Sequence, residues 1–540
     1  MNATEKYAKR GRFMDSKQIL STILLVCFFA VMIFVGYRTR KHATDVNGFV
    51  LGGRSVGPWL TAFAFGTSYF SAVIFVGYAG QFGWNFGLAS TWAGLGNAFL
   101  GSLLAWNVLG RRTRIMTQQL DAKTMPDYFG KRFESIPLKV AASIIVFIFL
   151  IPYTASLYNG LSSLFGIVFK IPYFVVILVM AVLTGVYVIF GGYMATAIND
   201  FIQGIIMLFG ICSVIGAVLM KNGGLLEATK KLASIEADGW ASGGAYSSFL
   251  GPDPLALLFV VILTSLGTWG LPQMVGKFYS IKSENDISKG TIISTIFAIV
   301  VAGGCYFLGG FGRLYDNPSL YNEKTGKLLA DKIIPTMLET LPDVIIAIVI
   351  VLVLSASMST LSSLVLTSSS TFTLDVVFSG KKIEDKKKVT VMRIFIIFFI
   401  AVSAAIAIIK DQFPGVTFIA QMMGVSWGAL AGSFLAPYLY SLYWKGVTKV
   451  SAAVCFVWGC SIAILQLVVT LGKVDTSGWG TVLSYIFKSS INSGVVAMVG
   501  GLIIVPIVSA ITKKQDKSTL DKMFACYEKK VEVEAKSRID

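Results

Sequence analysis

The chain has 540 residues, 55% hydrophobic and only 14% charged, where a soluble protein carries about 25% charged residues. Its formal charge of +17 would suit nucleic acid, but the basic residues cluster in short loops between apolar runs: Arg111, Arg112 and Arg114; Lys381, Lys382, Lys386, Lys387 and Lys388; Lys513, Lys514 and Lys517. That is the positive-inside pattern of a membrane protein and excludes a nucleic-acid partner, while one histidine (His42) and six cysteines without CxxC spacing leave zinc-hydrolase and Ser-His-Asp chemistry no raw material, so an enzyme is not expected.

In chain order, the apolar runs reach the roughly 20 residues that span hydrocarbon. They predict an all-α polytopic membrane protein of about thirteen transmembrane helices. These lie near 19–37, 57–82, 88–109, 138–166, 172–191, 200–220, 254–272, 289–310, 343–370, 391–410, 415–442, 449–472 and 491–511. The first run lacks a small-residue cleavage site, so it reads as a retained helix rather than a signal peptide. An odd count places the termini on opposite sides. With the C-terminus cytoplasmic and the N-terminus outside, the inner loops hold most of the loop Lys and Arg; Lys6, Lys9, Arg10 and Arg12 fall on the other face. The segment after Lys513 reads as an amphipathic helix on the inner leaflet or as a solvated tail.

Two predicted helices are interrupted at mid-depth, by Thr61-Ala-Phe-Ala-Phe-Gly-Thr-Ser-Tyr-Phe-Ser-Ala72 and by Ser265-Leu-Gly-Thr-Trp-Gly-Leu-Pro-Gln273. They are the second and the seventh, five helices apart. Matched breaks point to inverted repeats with sites near the midplane, although glycine also serves close helix packing.

Residues Ser355 to Thr373 carry twelve hydroxyl side chains in nineteen positions. Helical spacing puts Ser355, Ser359, Ser362 and Ser363 on one stripe beside Thr360. Hydroxyls and freed carbonyls suit an alkali cation; they also satisfy themselves one turn back along their own helix. Asp200, at the start of the run Phe201 to Leu219, reads either as a helix cap or as a negative charge beside a buried cation.

From about residue 45 to 445 the chain resembles the sodium/solute symporters. The resemblance is carried by Leu51-Gly-Gly-Arg-Ser-Val-Gly-Pro58, by Gly191-Gly-Tyr-Met-Ala-Thr-Ala-Ile-Asn-Asp-Phe-Ile-Gln203 (with Asn199 where threonine is usual), and by Ala356-Ser-Met-Ser-Thr-Leu-Ser362. It implies a LeuT-like core of two inverted five-helix repeats, 56–252 and 253–445, behind an N-terminal segment 1–55. Accessory helices at 446–512 and a cytoplasmic tail at 513–540 follow. The implied activity is import of one small organic solute with sodium, the co-transported ion, by alternating access. The implied sodium site is the carbonyls of Thr67, Phe70 and Ala356 with the hydroxyls of Ser359 and Thr360. As in the sialic acid carriers, a second sodium site is implied at Asp200, Ser362 and Ser363.

The implied solute site lies among Ser68, Tyr69, Ser71, Thr268, Trp269 and Gln421. Sugar carriers have a glutamine where this chain has Ile74 and an aromatic platform at Thr268. Proline carriers have an aspartate at Tyr69 and aromatics at Thr264 and Thr268, and sialic acid carriers an arginine within 138–166, where this chain has none. The run Tyr69-Phe-Ser-Ala72 is similar to the pantothenate and monocarboxylate members, so a monocarboxylate, a pantothenate-like acid or an amino acid is expected. Tyr69 and Phe70 also fit a pure packing role. One sodium moving down about 100 mV supplies roughly 2.3 kcal/mol, and a tenfold gradient about 1.4 more. The rivals are a proton-coupled carrier on the same fold with Asp200 as proton carrier, a transporter-like sensor, and a channel. Oligomeric state is not legible.

Overall fold

Lipid offers a backbone no hydrogen-bond partners, so apolar runs close their own bonds as helices. The computed structural model describes residues 16–169, 172–237, 243–411, 418–472 and 474–528, and its regular elements there are helices joined by short turns. Those that frame the site are α1 (Ser16–Thr39), α2 (Pro58–Tyr69), α3 (Ala79–Phe86), α4 (91–119), α5 (Met125–Arg132), α6 (Ile136–Phe169), α7 (Tyr173–Lys221), α8 (Pro254–Leu266), α9 (Pro272–Ser280), α10 (284–309), α11 (Asp343–Phe372), α12 (Asp385–Asp411), α13 (Phe418–Tyr443), α14 (Lys449–Leu471), α15 (Ser490–Ile511) and α16 (Lys517–Phe524).

Among the described residues, eight helices are long and apolar enough to span a membrane, or ten if each bent pair counts as one span. The expected count was about thirteen. Part of the difference is α7, which joins the predicted helices 172–191 and 200–220 in one 49-residue element. It is two helices meeting at a kink, 173–191 and 193–221, about 29 and 44 Å long at 1.5 Å per residue. Gly192 turns the chain inside it at φ +56°, where a Cβ would stand 2.9 Å from the Phe49 carbonyl oxygen. Only glycine fits that left-handed approach.

Both expected interruptions are present, with similar bends. The first helix bends 46° between Pro58–Tyr69 and the helix resuming at Val73; Phe70 leaves helical geometry at φ −93°, ψ 89°. The second bends 48° between Pro254–Gly270 and α9. There Leu271 is extended and Pro272, which has no N–H to satisfy, starts the new helix.

The serine-rich helix α11 is the centre of the bundle. In its most apolar stretch 83% of residues are buried in protein, against 28% for α1. Its hydroxyls therefore face other helices rather than lipid. At the basic end, Arg54 donates to the carbonyls of Ala122 (2.7 Å), Tyr279 (3.2 Å) and Thr117 (3.3 Å), while Val56 and Lys282 pair main chain to main chain. The lead-in to α2 is thus pinned to the exit from α9. Lys139 of α6 lies 3.0 Å from Asp127 and 3.2 Å from Asp375, tying α5 to the end of α11.

After Lys513 the chain forms a short helix with an apolar stripe, as one of the two expected readings has it, and the stripe meets protein. Leu520 and Phe524 of α16 are buried against the chain itself, with Arg132 and Lys445 over the Phe524 ring and Lys445 paired to Asp521 at 2.6 Å. Its apolar stripe has a protein face to cover. The basic residues Lys6, Lys9, Arg10 and Arg12, and the tail from residue 529, lie outside the described residues.

Candidate functional site

The break in α2 frees carbonyls, and α11 passes close beside it. Two hydroxyls of α11 donate to the Thr67 carbonyl, Ser359 Oγ and Thr360 Oγ1, each at 3.1 Å. The same hydroxyls lie 3.3 and 3.2 Å from the Ala356 carbonyl oxygen. Four of the five residues implied for sodium are thereby joined in one cluster of oxygens, all buried. Phe70 stands at the break itself. Hydroxyls bonding back along their own helix also occur, as at Ser357 to Val353 and Ser370 to Leu366. Ser359 and Thr360 bond back along their own helix as well, Ser359 Oγ standing 2.9 Å from the Ser355 carbonyl oxygen, and what sets them apart is their added contact with Thr67 at the break. Gly204 of α7 allows the approach, since a Cβ there would press on Phe63 and on Thr67 Cγ2 at 3.0 Å.

Asp200 does not cap a helix. It sits inside α7, fully buried. Its cationic neighbour is Lys277 of α9, with Nζ 3.6 Å from Asp200 Oδ2 and 2.9 Å from Ser363 Oγ. Ser363 Oγ in turn lies 2.7 Å from Ser68 Oγ. Ser362 turns its hydroxyl to the Ser359 carbonyl at 2.9 Å. Of the three residues implied for a second sodium, two therefore face a protein ammonium. Lys277 went unused in the sequence reading, because a lysine five residues past Pro272 resembles any helix-end cation until the fold buries it.

The residues implied for the solute divide into three sets. Ser68 belongs to the lysine cluster just described. Tyr69 donates its hydroxyl to the Thr264 carbonyl, and the Asn97 amide nitrogen, oriented to satisfy both its ends, stands 2.7 Å from that hydroxyl. Trp269 donates to the Leu100 carbonyl (3.0 Å) and Thr268 to that of Ser265 (2.8 Å). Thr268 also lies 3.3 Å from the Gly101 carbonyl oxygen, so all three side chains make contacts between helices. Gln421, half-buried with an unpartnered amide oxygen, lies six residues from Trp427, about 9 Å along a helix axis.

Ser71 has different company. Its buried hydroxyl stands near the Tyr153 hydroxyl of α6, which also faces the Trp427 indole. Ser71 Oγ, Tyr153 Oη and Trp427 Nε1 are buried without a hydrogen-bond partner. Trp427 stacks on Tyr69 at 5.9 Å, meets Tyr153 edge-on at 6.1 Å, and lies where a Cβ on Gly267 of the second break would touch it at 3.1 Å. Three polar tips that face one another without closing a hydrogen bond of normal geometry are what a polar solute would satisfy. Tyr153 and Trp427 were missed by sequence reasoning. The available signal was a polar-tipped aromatic in an apolar span, where its N–H or O–H must find a partner.

Three comparisons bear on these features. The model of the sodium:solute symporter family matches residues 49–459. The sodium/proline symporter 2 of Staphylococcus saprophyticus is 28% identical over 456 residues, covering 83% of this chain and 86% of that protein. The osmoregulated proline transporter OpuE of Bacillus subtilis is 27% identical over 524 residues, covering 94% and 98%. Among solved structures, a substrate-bound, outward-open Na+-coupled sialic acid symporter superposes with TM-score 0.71 at 17% identity, over 92% of this chain and 99% of that one. A manganese transporter of Eremococcus coleocola reaches 0.51 at 15% identity, over 84% and 94%.

Proposed function

The chain belongs to the sodium:solute symporter family, a multi-pass membrane transporter and not an enzyme, and on that premise we propose that it imports a small organic solute with sodium by alternating access. The observation that carries this reading is the oxygen cluster at the first break. The carbonyls of Thr67 and Ala356 and the hydroxyls of Ser359 and Thr360 converge there. Such hard, neutral oxygens replace the water shell of an alkali cation, and helix carbonyls freed by a break supply the rest. Phe70 is assigned the fifth ligand, through its carbonyl at the break.

The wider frame follows the same logic. Two helices bent by 46° and 48° fit two inverted five-helix repeats within thirteen spans, with the C-terminus inside and the N-terminus outside. Rocking of one bundle against the other would expose the site to each side in turn.

The solute sits between the breaks, at Ser71, Tyr153 and Trp427. Their three free polar groups in an aromatic wall suit an amino acid or a small carboxylic acid. The curated relatives named above are proline carriers at 27–28% identity. This chain's Tyr69 and Thr268 are taken up in helix contacts, so proline enters as a candidate to test rather than as the assignment.

The test is purified protein in liposomes under an inward sodium gradient, screened with labelled proline, other amino acids, monocarboxylates, pantothenate and sugars. The expected result is concentrative uptake of one class that collapses when sodium is equal on both sides. Uptake of every solute indifferent to sodium overturns the reading, and uptake following pH instead establishes the proton-coupled carrier.

A further inference from the structure

The Lys277 side chain is 3% exposed and that of Asp200 0%, so both sit where an unpaired charge is not tolerated. The lysine reaches the cluster from α9, the half-helix after the second break. Asp200 comes from α7, Ser363 from α11 and Ser68 from α2, the half-helix before the first break. One ammonium thus joins four elements, including both bent helices, and the Tyr193 ring closes over it at 5.3 Å.

We infer that Lys277 is a built-in cation standing in the place of a second sodium, so that this carrier couples its solute to a single sodium ion. The inference rests on the sodium-coupled reading and deepens it. An ammonium has three donors and no acceptor, so Ser363 Oγ must spend a lone pair on it (2.9 Å) while sharing a proton with Ser68 (2.7 Å). With Lys277 and Ser68 both within hydrogen-bond distance, the space around Ser363 Oγ that a metal ion would need is taken by the ammonium. Ser362, the other serine implied for that ion, directs its hydroxyl to the Ser359 carbonyl, toward the first site.

Charge balance points the same way. The cluster holds one carboxylate and one ammonium, which neutralise each other. A second monovalent cation beside them would meet a like charge with no further carboxylate to offset it. A tethered cation also differs from a free one in what it carries. Sodium enters from one side and leaves on the other, doing electrical work; Lys277 stays with α9 and only makes or breaks its contacts with Asp200 and Ser363 as the helices move. It is a positioning residue that takes over the structural part of the second ion's role and removes its driving force.

A cleft runs from the cluster along the hydroxyl face of α11. It is lined by Lys277, Gln273, Ser363, Thr367, Ser370 and Thr371 and reaches Thr124 at the basic end.

The experiment measures sodium-to-solute stoichiometry by reversal potential in proteoliposomes loaded with the solute found above. Wild-type protein is expected to move one sodium per solute, with a Hill coefficient near one. Lys277→Gln, which keeps a hydrogen-bonding tip but not the charge, is expected to admit a second sodium, raising both values toward two. Wild-type protein at two sodium ions per solute overturns the inference, as does Lys277→Gln remaining at one. Should that variant fail to insert, the neutralised pair Asp200→Asn with Lys277→Gln substitutes for it. It is expected to keep the wild-type stoichiometry of one, and a drop in coupled sodium would identify Asp200 as an ion ligand and overturn the assignment. Uptake with no sodium dependence in wild-type protein is a distinct outcome, which sinks the symport reading itself.

Discussion

Thr360 Oγ1 lies 3.1 Å from the carbonyl oxygen of Thr67, a contact between residues 293 positions apart in the chain. It places a side-chain oxygen of the most deeply buried helix against the frayed end of a broken one. Neither residue is unusual alone. Together they put a neutral oxygen pair, fully buried, where the helix dipole ends.

Thr360→Ala should therefore weaken sodium activation about 10- to 100-fold, the size of one hydrogen-bond-strength contact to a charged group of about 1.5–3 kcal/mol. Thr360→Ser, which keeps the oxygen, should lose little. Uptake rates against sodium concentration at saturating solute decide this; equal sodium constants for Thr360→Ala and wild type would remove Thr360 from the ion site.

Tyr153→Phe and Trp427→Phe each delete one of the unpartnered polar tips beside Ser71. Each should raise the solute KM about 3- to 10-fold, the range of one neutral hydrogen bond, and leave the sodium constant in place. Competition assays on both variants read this directly. No change in either would move the solute elsewhere.

The crossing of α3 and α10 has no room for a side chain. A Cβ on Gly83 would fall 1.9 Å from the Gly309 carbonyl oxygen, and one on Gly309 would fall 2.1 Å from that of Ala79. Backbone cannot retreat as a flexible side chain can. Gly309→Ala should cost at least about 1–3 kcal/mol and lower the melting temperature in detergent; an unchanged melting curve would show the crossing to be looser than this geometry.

Lys139 is shared between Asp127 and Asp375, whose side chains are 9% and 1% exposed. Lys139→Met leaves Asp375 buried without a cation and Asp127 with Lys131 alone, and should destabilise the protein by about 3–5 kcal/mol, while Lys139→Arg should retain most of the stability. Burial raises the affinity of Asp127 for a proton, but the ammoniums of Lys139 and Lys131 outweigh it and hold the carboxyl below its ordinary range. Its stabilising contribution is therefore complete above the unfolded carboxylate value of about 3.9 and lost as pH falls through the lower folded value. Melting curves between neutral and strongly acidic pH should show wild type losing this advantage over Lys139→Met at the acid end.

The helical class, the serine-rich centre and the two breaks were legible because each leaves a local mark: an apolar run, a density of hydroxyls, glycine and proline at mid-span. The assignment of Thr67, Ala356, Ser359 and Thr360 to one cluster came from a resemblance, and the structure places those four together. Lys277, Tyr153 and Trp427 left no such mark. A lysine near a helix end and an aromatic in an apolar span are ordinary, and they become informative only when tertiary neighbours show which polar atoms are paired.

Composition and the period of apolar residues determined that this chain crosses the membrane as a helical bundle, since a backbone in hydrocarbon must satisfy itself within each segment. Which charges meet inside that bundle was decided by packing alone. Asp200 and Lys277 are 77 residues apart on different helices, and no local rule of spacing connects them. Electrostatic pairing depends on distance through space in a low dielectric, which only the folded arrangement of the bent helices sets.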